Sequence, residues 1–155
     1  HREPAWFRVA RTRGWRSAAR PLARRSARRS RPRVRGVARG WRESLGIAAS
    51  AGVESDRVAL DIGIGFGKTL AQNLELIAKL DKLVDEFSRY PILVGASRKS
   101  FIGKILDGSP PDQRLGGSLA AATVAVWNGA RIVRVHDVAE TARAVRLTEA
   151  LKQEL

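Results

Sequence analysis

The sequence predicts an α/β fold in which parallel strands alternate with helices. Short, largely apolar runs at residues 57–62, 91–95 and 131–135 each precede a segment with helical periodicity. Strand-to-helix units in tandem imply parallel strands joined by right-handed crossovers. The unusual polar and glycine residues of each unit follow its strand. They should therefore share one end of the sheet, where parallel α/β folds place their binding sites.

The first 45 residues differ in composition from the rest of the chain. They hold 15 Arg and no Lys against two acidic residues, whereas residues 46–155 hold 14 basic and 13 acidic side chains. A segment so charged and so poor in aliphatic residues does not offset the entropy lost on folding. We therefore expect residues 1–41 to be disordered or translated out of frame, and residues 42–155 to form the ordered domain. An inert tail, a phosphate-binding arm and a mitochondrial presequence are alternatives.

The composition also excludes several classes of function. The chain has no cysteine, so disulfides, thiolate metal sites and cysteine nucleophiles are ruled out. No apolar run approaches the ~18 residues that span a bilayer, and we expect a cytoplasmic protein without a membrane partner. The net charge of +14 lies almost wholly in the first segment, so nucleic acid is not expected as a partner of the domain. Because the chain begins with His1 rather than Met, we expect a fragment.

The ordered elements begin with a helix end, a strand and a second helix. Gly52 follows a helical pattern and suits the left-handed conformation that closes a helix. The strand at 57–62 leads to the glycine-rich loop 63–68, after which Thr69 and Gln72 have the spacing of a capping box. A stripe at helical period then predicts the buried face of the next helix. It comprises Leu70, Leu74, Ile77, Leu80, Val84 and Phe87.

The two later units repeat the order of strand, polar segment and helix. They comprise strand 91–95, polar segment 96–100, a short helix, a Pro-rich loop at 107–114, an Ala-rich helix at 117–127 and strand 131–135. Asp137 and Glu140 then predict a second capping box, at the start of the last helix.

The glycine-rich loop superficially resembles a phosphate-binding loop. A Walker A loop would need glycine where Ile62 stands, and a dinucleotide fingerprint would need glycine where Lys68 stands. Neither motif is present. The loop indicates either a close approach of the backbone to a flat or anionic ligand, with Asp61 as a hydrogen-bond acceptor, or a tight turn between strand and helix.

Four blocks of the sequence resemble dihydropteroate synthase, in that family's order and at its spacing. They are Leu60-Asp-Ile-Gly-Ile-Gly-Phe-Gly-Lys-Thr69, Val94-Gly-Ala-Ser-Arg-Lys-Ser-Phe-Ile-Gly103, Gly117-Ser-Leu-Ala-Ala121 and Arg131-Ile-Val-Arg-Val-His-Asp-Val138. The resemblance runs from about Arg42 to Leu155 and implies a (β/α)8 TIM barrel. Nothing in the chain resembles the family's first half, so the chain would be the C-terminal part, about three strand-helix units. Its open edges would call for a second copy or a complementing half barrel.

The resemblance implies a transferase of folate biosynthesis that condenses dihydropterin-methyl diphosphate with 4-aminobenzoate. The catalytic residues that it implies are Lys99, Arg134 and His136. The substrate-binding residues that it implies are Asp61, Phe66, Gly95, Ser97, Arg98, Lys99, Arg134 and His136. It also implies Mg²⁺, although the family's usual Asn ligand is absent from this chain. A pterin-binding domain of a corrinoid methyltransferase, an inactive gene fragment and a basic nucleic-acid-binding protein are alternatives.

The residue types suit these roles. Asp61 can accept the adjacent N–H donors of a pterin, and Lys99 can donate to a ring carbonyl or nitrogen while its stem packs on an aromatic face. Arg134 and His136 alternate with valines, so both point to one side of the third strand. With the following helix N-terminus they suit a diphosphate leaving group. A local cap at Asp61 and a merely solvated Lys99 are the alternatives without a function.

Overall fold

A four-stranded parallel sheet organises the computed structural model, which describes residues 8–9 and 33–155. The elements in chain order are β1 (Arg8–Val9), α1 (Arg33–Ser50), β2 (Leu60–Asp61), α2 (Leu70–Ala78), α3 (Leu80–Glu86), β3 (Ile92–Val94), α4 (Ser100–Ile105), α5 (Leu115–Trp127), β4 (Ile132–Val133) and α6 (Val138–Lys152). The strands lie in the order β1-β4-β3-β2, and every pair is parallel. The predicted α/β class and the three strand-helix units are confirmed. None of the described helices is long and apolar enough to cross a membrane.

The two faces of the sheet are covered to different extents. One face carries the strand residues that are at most 5% exposed, namely Leu60, Ile92, Val94 and Val133. Asp61, Leu93 and Ile132 are aligned in register across the three strands and are only half-buried. Because successive strand residues point to opposite faces, these three share the second face. In a closed barrel this face lines the interior.

Helix α1 begins before the domain boundary that we predicted at residue 42. It starts at Arg33, and Ala38 and Trp41 are only 3% and 8% exposed. The apolar residues of this helix recur at helical spacing and pack on the core; they are Val34, Val37, Ala38, Trp41 and Leu45. The predicted boundary is therefore wrong, because Arg35 and Arg39, whose side chains are described, occupy the outer face of an amphipathic helix. Strand β1 also falls within the segment, and residues 1–7 and 10–32 lie outside the described residues.

Two local predictions of helix boundaries are confirmed. Gly52 has φ +75° just after α1, and the N–H of Val53 reaches back to the carbonyl of Ala48 at 3.0 Å, which is the bond of a Schellman motif. At the start of α2, the Thr69 N–H donates to Oε1 of Gln72 at 3.0 Å, and the Gln72 N–H donates to Oγ1 of Thr69 at 3.3 Å. This is the predicted capping box.

The predicted stripe of the following helix is only partly correct. Ile77, Leu80 and Phe87 are buried as expected, but Leu74 is 41% exposed. The single predicted helix is divided at Lys79, whose φ of −113° and ψ of 27° separate α2 from α3. The buried face of α2 is centred on Asn73, Leu76 and Ile77, so Leu74 lies at its border.

Adjacent glycines at the start of α5 provide a test of the packing between α4 and α5. A Cβ on Gly117 would collide with Cγ2 of Ile102, whereas a Cβ on Gly116 would meet nothing within 4 Å. We expect Gly117→Ala to lower the free energy of unfolding by roughly 1–3 kcal/mol through overpacking. Gly116→Ala should leave it unchanged or slightly higher, since alanine favours helix. Urea unfolding of both variants measures this, and equal destabilisation would contradict the described packing.

Candidate substrate-binding site

The loops that follow β2, β3 and β4 meet at the carboxyl end of the sheet. A cavity of about 610 Å³ there is lined by Gly95, Ser97, Arg98, Lys99, Pro111, Arg134, Val135 and His136. Six of the eight predicted site residues thus line one cavity. The other two are Asp61, at the end of β2, and Phe66, in the loop that follows β2 and that Lys99 contacts.

The glycine-rich loop after β2 is held by two polar side chains. Asp61 accepts the Gly63 N–H through Oδ1 at 2.7 Å, so it makes the local cap and retains further acceptor positions on its carboxylate. Asn73 accepts the Gly65 N–H at 2.7 Å and donates to the Thr69 carbonyl at 2.9 Å. Gly63 and Gly65 have φ of +67° and +82°, where a side chain would be strained.

Sequence reasoning overlooked Asn73, which is 2% exposed. The sequence feature that could have indicated its role is an amide side chain on the apolar face of a helix, because a buried polar group needs hydrogen-bond partners. Its partners are the main chain of the glycine-rich loop. The loop conformation is therefore fixed from α2.

Lys99 connects the loop after β3 to the glycine-rich loop. Its ammonium donates to the Ile64 carbonyl and lies 4.6 Å from the centre of the Phe66 ring. Burial lowers the pKa of Lys99 to about 8; the charge of Asp61 opposes this shift, and the charges of Arg134 and Lys68 add to it. The solvated alternative for Lys99 is therefore wrong.

The main chain at Arg98 is in the left-handed region, with φ +56°. Its N–H donates to Oγ of Ser118 at 2.9 Å, and its carbonyl accepts from Nη1 of Arg114 at 2.8 Å. The Arg98 guanidinium makes a two-pronged ion pair with Asp137, in which Nε lies 3.0 Å from Oδ2. This pair lowers the pKa of the Asp137 carboxyl.

The predicted capping box of Asp137 and Glu140 is absent, since Asp137 makes no side-chain capping bond to α6. The physical reason is its ion pair with Arg98, a partner 39 residues away in sequence. Arg114 and Ser118 were not among the predicted site residues either. Their contribution is a contact between distant segments, which local spacing does not reveal.

Ser97 and His136 form a hydrogen-bonded pair between the loops after β3 and β4. Ser97 Oγ lies 3.0 Å from Nδ1 of His136 and accepts the His136 main-chain N–H at 3.2 Å, and Ser97 is 5% exposed. Since Oγ accepts from the main chain, its own proton is available to Nδ1. That arrangement favours the imidazole tautomer with its proton on Nε2.

Arg134 lies across Gly95, where a Cβ would stand 3.2 Å from Nε of the guanidinium. Glycine at position 95 therefore makes room for the arginine. β4 ends at Val133, earlier than the predicted strand 131–135. Arg134 and His136 nonetheless line the same cavity, as predicted from their alternation.

The electrostatics of the cavity suit an anion. Lys99 and Arg134 bring two cationic side chains to it, while Arg98 is paired with Asp137. No group of three or more His, Asp or Glu residues in the described part of the chain is arranged to hold a metal ion. The two cationic side chains suit recognition of a phosphate or a carboxylate.

Lys99 should show a reactivity that depends on pH and on its charged neighbours. Because its pKa is about 8, acylation by acetic anhydride should reach half its maximal rate near that pH. Asp61→Asn should shift the profile to lower pH, since it removes a negative charge, and Arg134→Ala should shift it to higher pH. Mass spectrometry measures the rate, with the exposed Lys82 as internal standard. Profiles that neither substitution moves would contradict this electrostatic account.

Comparison with known proteins agrees with this geometry. Residues 14–136 match the family described as pterin binding enzyme. The chain is 46% identical over 116 residues to the dihydropteroate synthase of Escherichia coli K12, covering 74% of this chain and 39% of that protein. It is 45% identical over 115 residues to the enzyme of Neisseria meningitidis serogroup C, covering 74% and 40%.

Solved structures give the same result. The Yersinia pestis dihydropteroate synthase aligns with a TM-score of 0.73 and 41% identity, covering 77% of this chain and 55% of that chain. The Xanthomonas albilineans dihydropteroate synthase in complex with 7,8-dihydropteroate aligns with a TM-score of 0.75 and 38% identity, covering 80% and 48%. The chain spans about two fifths of the length of its curated relatives. It belongs to the family of pterin binding enzymes and corresponds to a segment of the dihydropteroate synthase barrel.

Proposed function

We propose that the chain supplies the pterin-binding and diphosphate-binding part of a dihydropteroate synthase. That enzyme condenses dihydropterin-methyl diphosphate with 4-aminobenzoate in folate biosynthesis. The observation that carries the proposal is the convergence of Asp61, at the end of β2, with Lys99, Arg134 and His136 from the loops after β3 and β4. The relative from Xanthomonas albilineans in complex with 7,8-dihydropteroate supports it. A cytoplasmic location stays a prediction of the sequence.

Asp61, Lys99 and Phe66 are the proposed pterin contacts. The Asp61 carboxylate would accept the amino and ring N–H groups, because a carboxylate binds two adjacent donors well. The Lys99 ammonium has three donors and uses one on the Ile64 carbonyl, so it can also donate to the ring. Phe66 is 63% exposed beside it and would wall the ring.

Arg134 and His136 are the proposed partners of the departing diphosphate. When the carbon–oxygen bond breaks, its electron pair leaves with the diphosphate and a pterin-methyl cation remains. The nitrogen of 4-aminobenzoate then attacks this cation and loses a proton. Prearranged donors stabilise the charge that develops on the leaving oxygen. The Ser97 contact occupies Nδ1 of His136 and leaves Nε2 available as a donor to the diphosphate.

The roles of the remaining residues stay predictions. The resemblance implies substrate binding by Ser97 and Arg98, and in the structure Ser97 engages His136 while Arg98 engages Asp137. The described residues do not fit a resident Mg²⁺. The Mg²⁺ that the resemblance implies would need ligands from the substrate or from outside the described residues.

A complementing half barrel or a second copy of the chain is the proposed macromolecular partner. The half-buried face with Asp61, Leu93 and Ile132 supports it, because the interior of a barrel is filled by residues of all its strands. An inactive gene fragment is the alternative.

Substitution of Arg134 tests the diphosphate site in the full chain. Arg134→Ala should weaken diphosphate binding by about tenfold to a hundredfold, since it removes a charge-assisted contact of roughly 1.5–3 kcal/mol. Arg146→Ala, on the exposed side of α6, removes the same charge outside the cavity and is the matched control. Calorimetric titration at two salt concentrations measures both, and screening should weaken the parent's binding. Equal affinity of the two variants would refute the site.

His136 should contribute to diphosphate binding as a hydrogen-bond donor. His136→Ala removes the Nε2–H donor and should weaken diphosphate binding by roughly 2- to 10-fold, as expected for one hydrogen bond. The same titration on the variant and the parent measures the difference. Unchanged affinity would assign His136 a packing role.

Synthase activity should be low or absent in this chain alone, because it carries only part of the ring of loops. Addition of a separately expressed N-terminal half of a dihydropteroate synthase should raise the formation of dihydropteroate. Liquid chromatography of the product measures turnover. Full turnover by the isolated monomer would overturn the need for a partner.

A further inference from the structure

Asp61 lies on the strand that forms one edge of the described sheet. The N–H of Leu60 donates to the Pro91 carbonyl at 2.9 Å, and the N–H of Ile62 donates to the Leu93 carbonyl at 3.4 Å. Main-chain groups of successive residues in a strand point to opposite sides. The N–H and carbonyl of Asp61 therefore point away from β3, towards the open edge of β2.

The indole of Trp41 meets this edge from α1. Its Nε1–H donates to the Asp61 carbonyl at 3.1 Å, a contact between residues 20 apart in sequence. The ring is 8% exposed and packs edge-on against Phe87, with centroids 5.1 Å apart and planes at 89°. Phe87 is in turn covered by the guanidinium of Arg42, which also pairs with Glu86. The donor is thus fixed in place by packing.

We propose that Trp41 is a positioning residue, which fixes the main chain of Asp61 at the open edge of β2 and so sets the direction of its carboxylate towards a pterin ring. Asp61 is then held at two points, at its carbonyl by Trp41 and at Oδ1 by the Gly63 N–H. The inference rests on the proposed function only for the identity of the ligand. It also gives the arginine-rich segment a role, since α1 brings Trp41 to the site.

A purely structural role for Trp41 makes different predictions. Trp41→Phe retains an aromatic ring against Phe87 but removes the N–H donor. If Trp41 only fills the core, this variant changes the free energy of unfolding and leaves the geometry at Asp61 intact. If Trp41 positions Asp61, the hydrogen bond between Asp61 and the Gly63 amide changes even where the fold is retained.

Nuclear magnetic resonance of the full ¹⁵N-labelled chain tests the positioning role without any ligand. In Trp41→Phe we expect the Gly63 amide resonance to shift, and in the matched control Trp127→Phe, whose ring is 43% exposed on α5, we expect no shift. In the unsubstituted chain the Trp41 indole proton should exchange slowly with solvent. An unmoved Gly63 resonance or rapid exchange of that proton overturns the inference, and the exchange measurement needs no variant to fold.

Ligand titration completes the test. Trp41→Phe should bind pterin-6-carboxylate roughly 2- to 10-fold more weakly, as expected for one hydrogen bond, and should bind inorganic diphosphate as the parent does. Unchanged pterin affinity, or equal weakening of both ligands, overturns the inference. If the unsubstituted chain binds no pterin, the proposed function fails, and the Gly63 resonance still decides whether Trp41 positions Asp61.

Discussion

The candidate site depends on the main-chain conformation of one residue, Arg98. A left-handed conformation costs a non-glycine residue roughly 1–2 kcal/mol, and here Ser118, Arg114 and Asp137 hold it through both main-chain groups and the guanidinium. The two neighbours of Arg98 contact different loops. Ser97 is hydrogen-bonded to His136 in the loop after β4, and Lys99 is hydrogen-bonded to Ile64 in the loop after β2. One tripeptide thus joins all three loops, and the start of α5 supports it.

The sheet shows how a segment of a barrel keeps its local structure. The side of the sheet that faces the helices is packed. The cavity is lined by residues from the loops of consecutive strand-helix units, so its two cationic side chains, Lys99 and Arg134, come together within the described residues. The opposite face, with Asp61, Leu93 and Ile132, remains only half covered. The cationic residues that suit an anion therefore come from neighbouring segments of the sequence. A closed barrel interior, in contrast, needs residues from all the strands of a barrel.

The sequence predicted those features that local patterns determine. Apolar runs located three strands, Thr69 and Gln72 located the start of α2, and the polar segments after the strands located the end of the sheet where the cavity lies. The resemblance to a family supplied the individual site residues, six of which line the cavity. Features that depend on contacts between distant segments were missed or wrong. The apolar face of α1 was missed because its segment is rich in arginine. The ion pair of Asp137 and the loop contacts of Asn73 have no local signature in the sequence.

The lowered pKa of Lys99 would couple the proposed anion binding to proton uptake. In the free site the ammonium is disfavoured by burial and by Arg134 and Lys68. A bound diphosphate would reverse that balance and favour the charged form. Near pH 8 the site would then take up part of a proton with each ligand, so affinity would fall as pH rises through this range, and the observed binding enthalpy would depend on the ionisation enthalpy of the buffer. Release of diphosphate would return that proton to solvent.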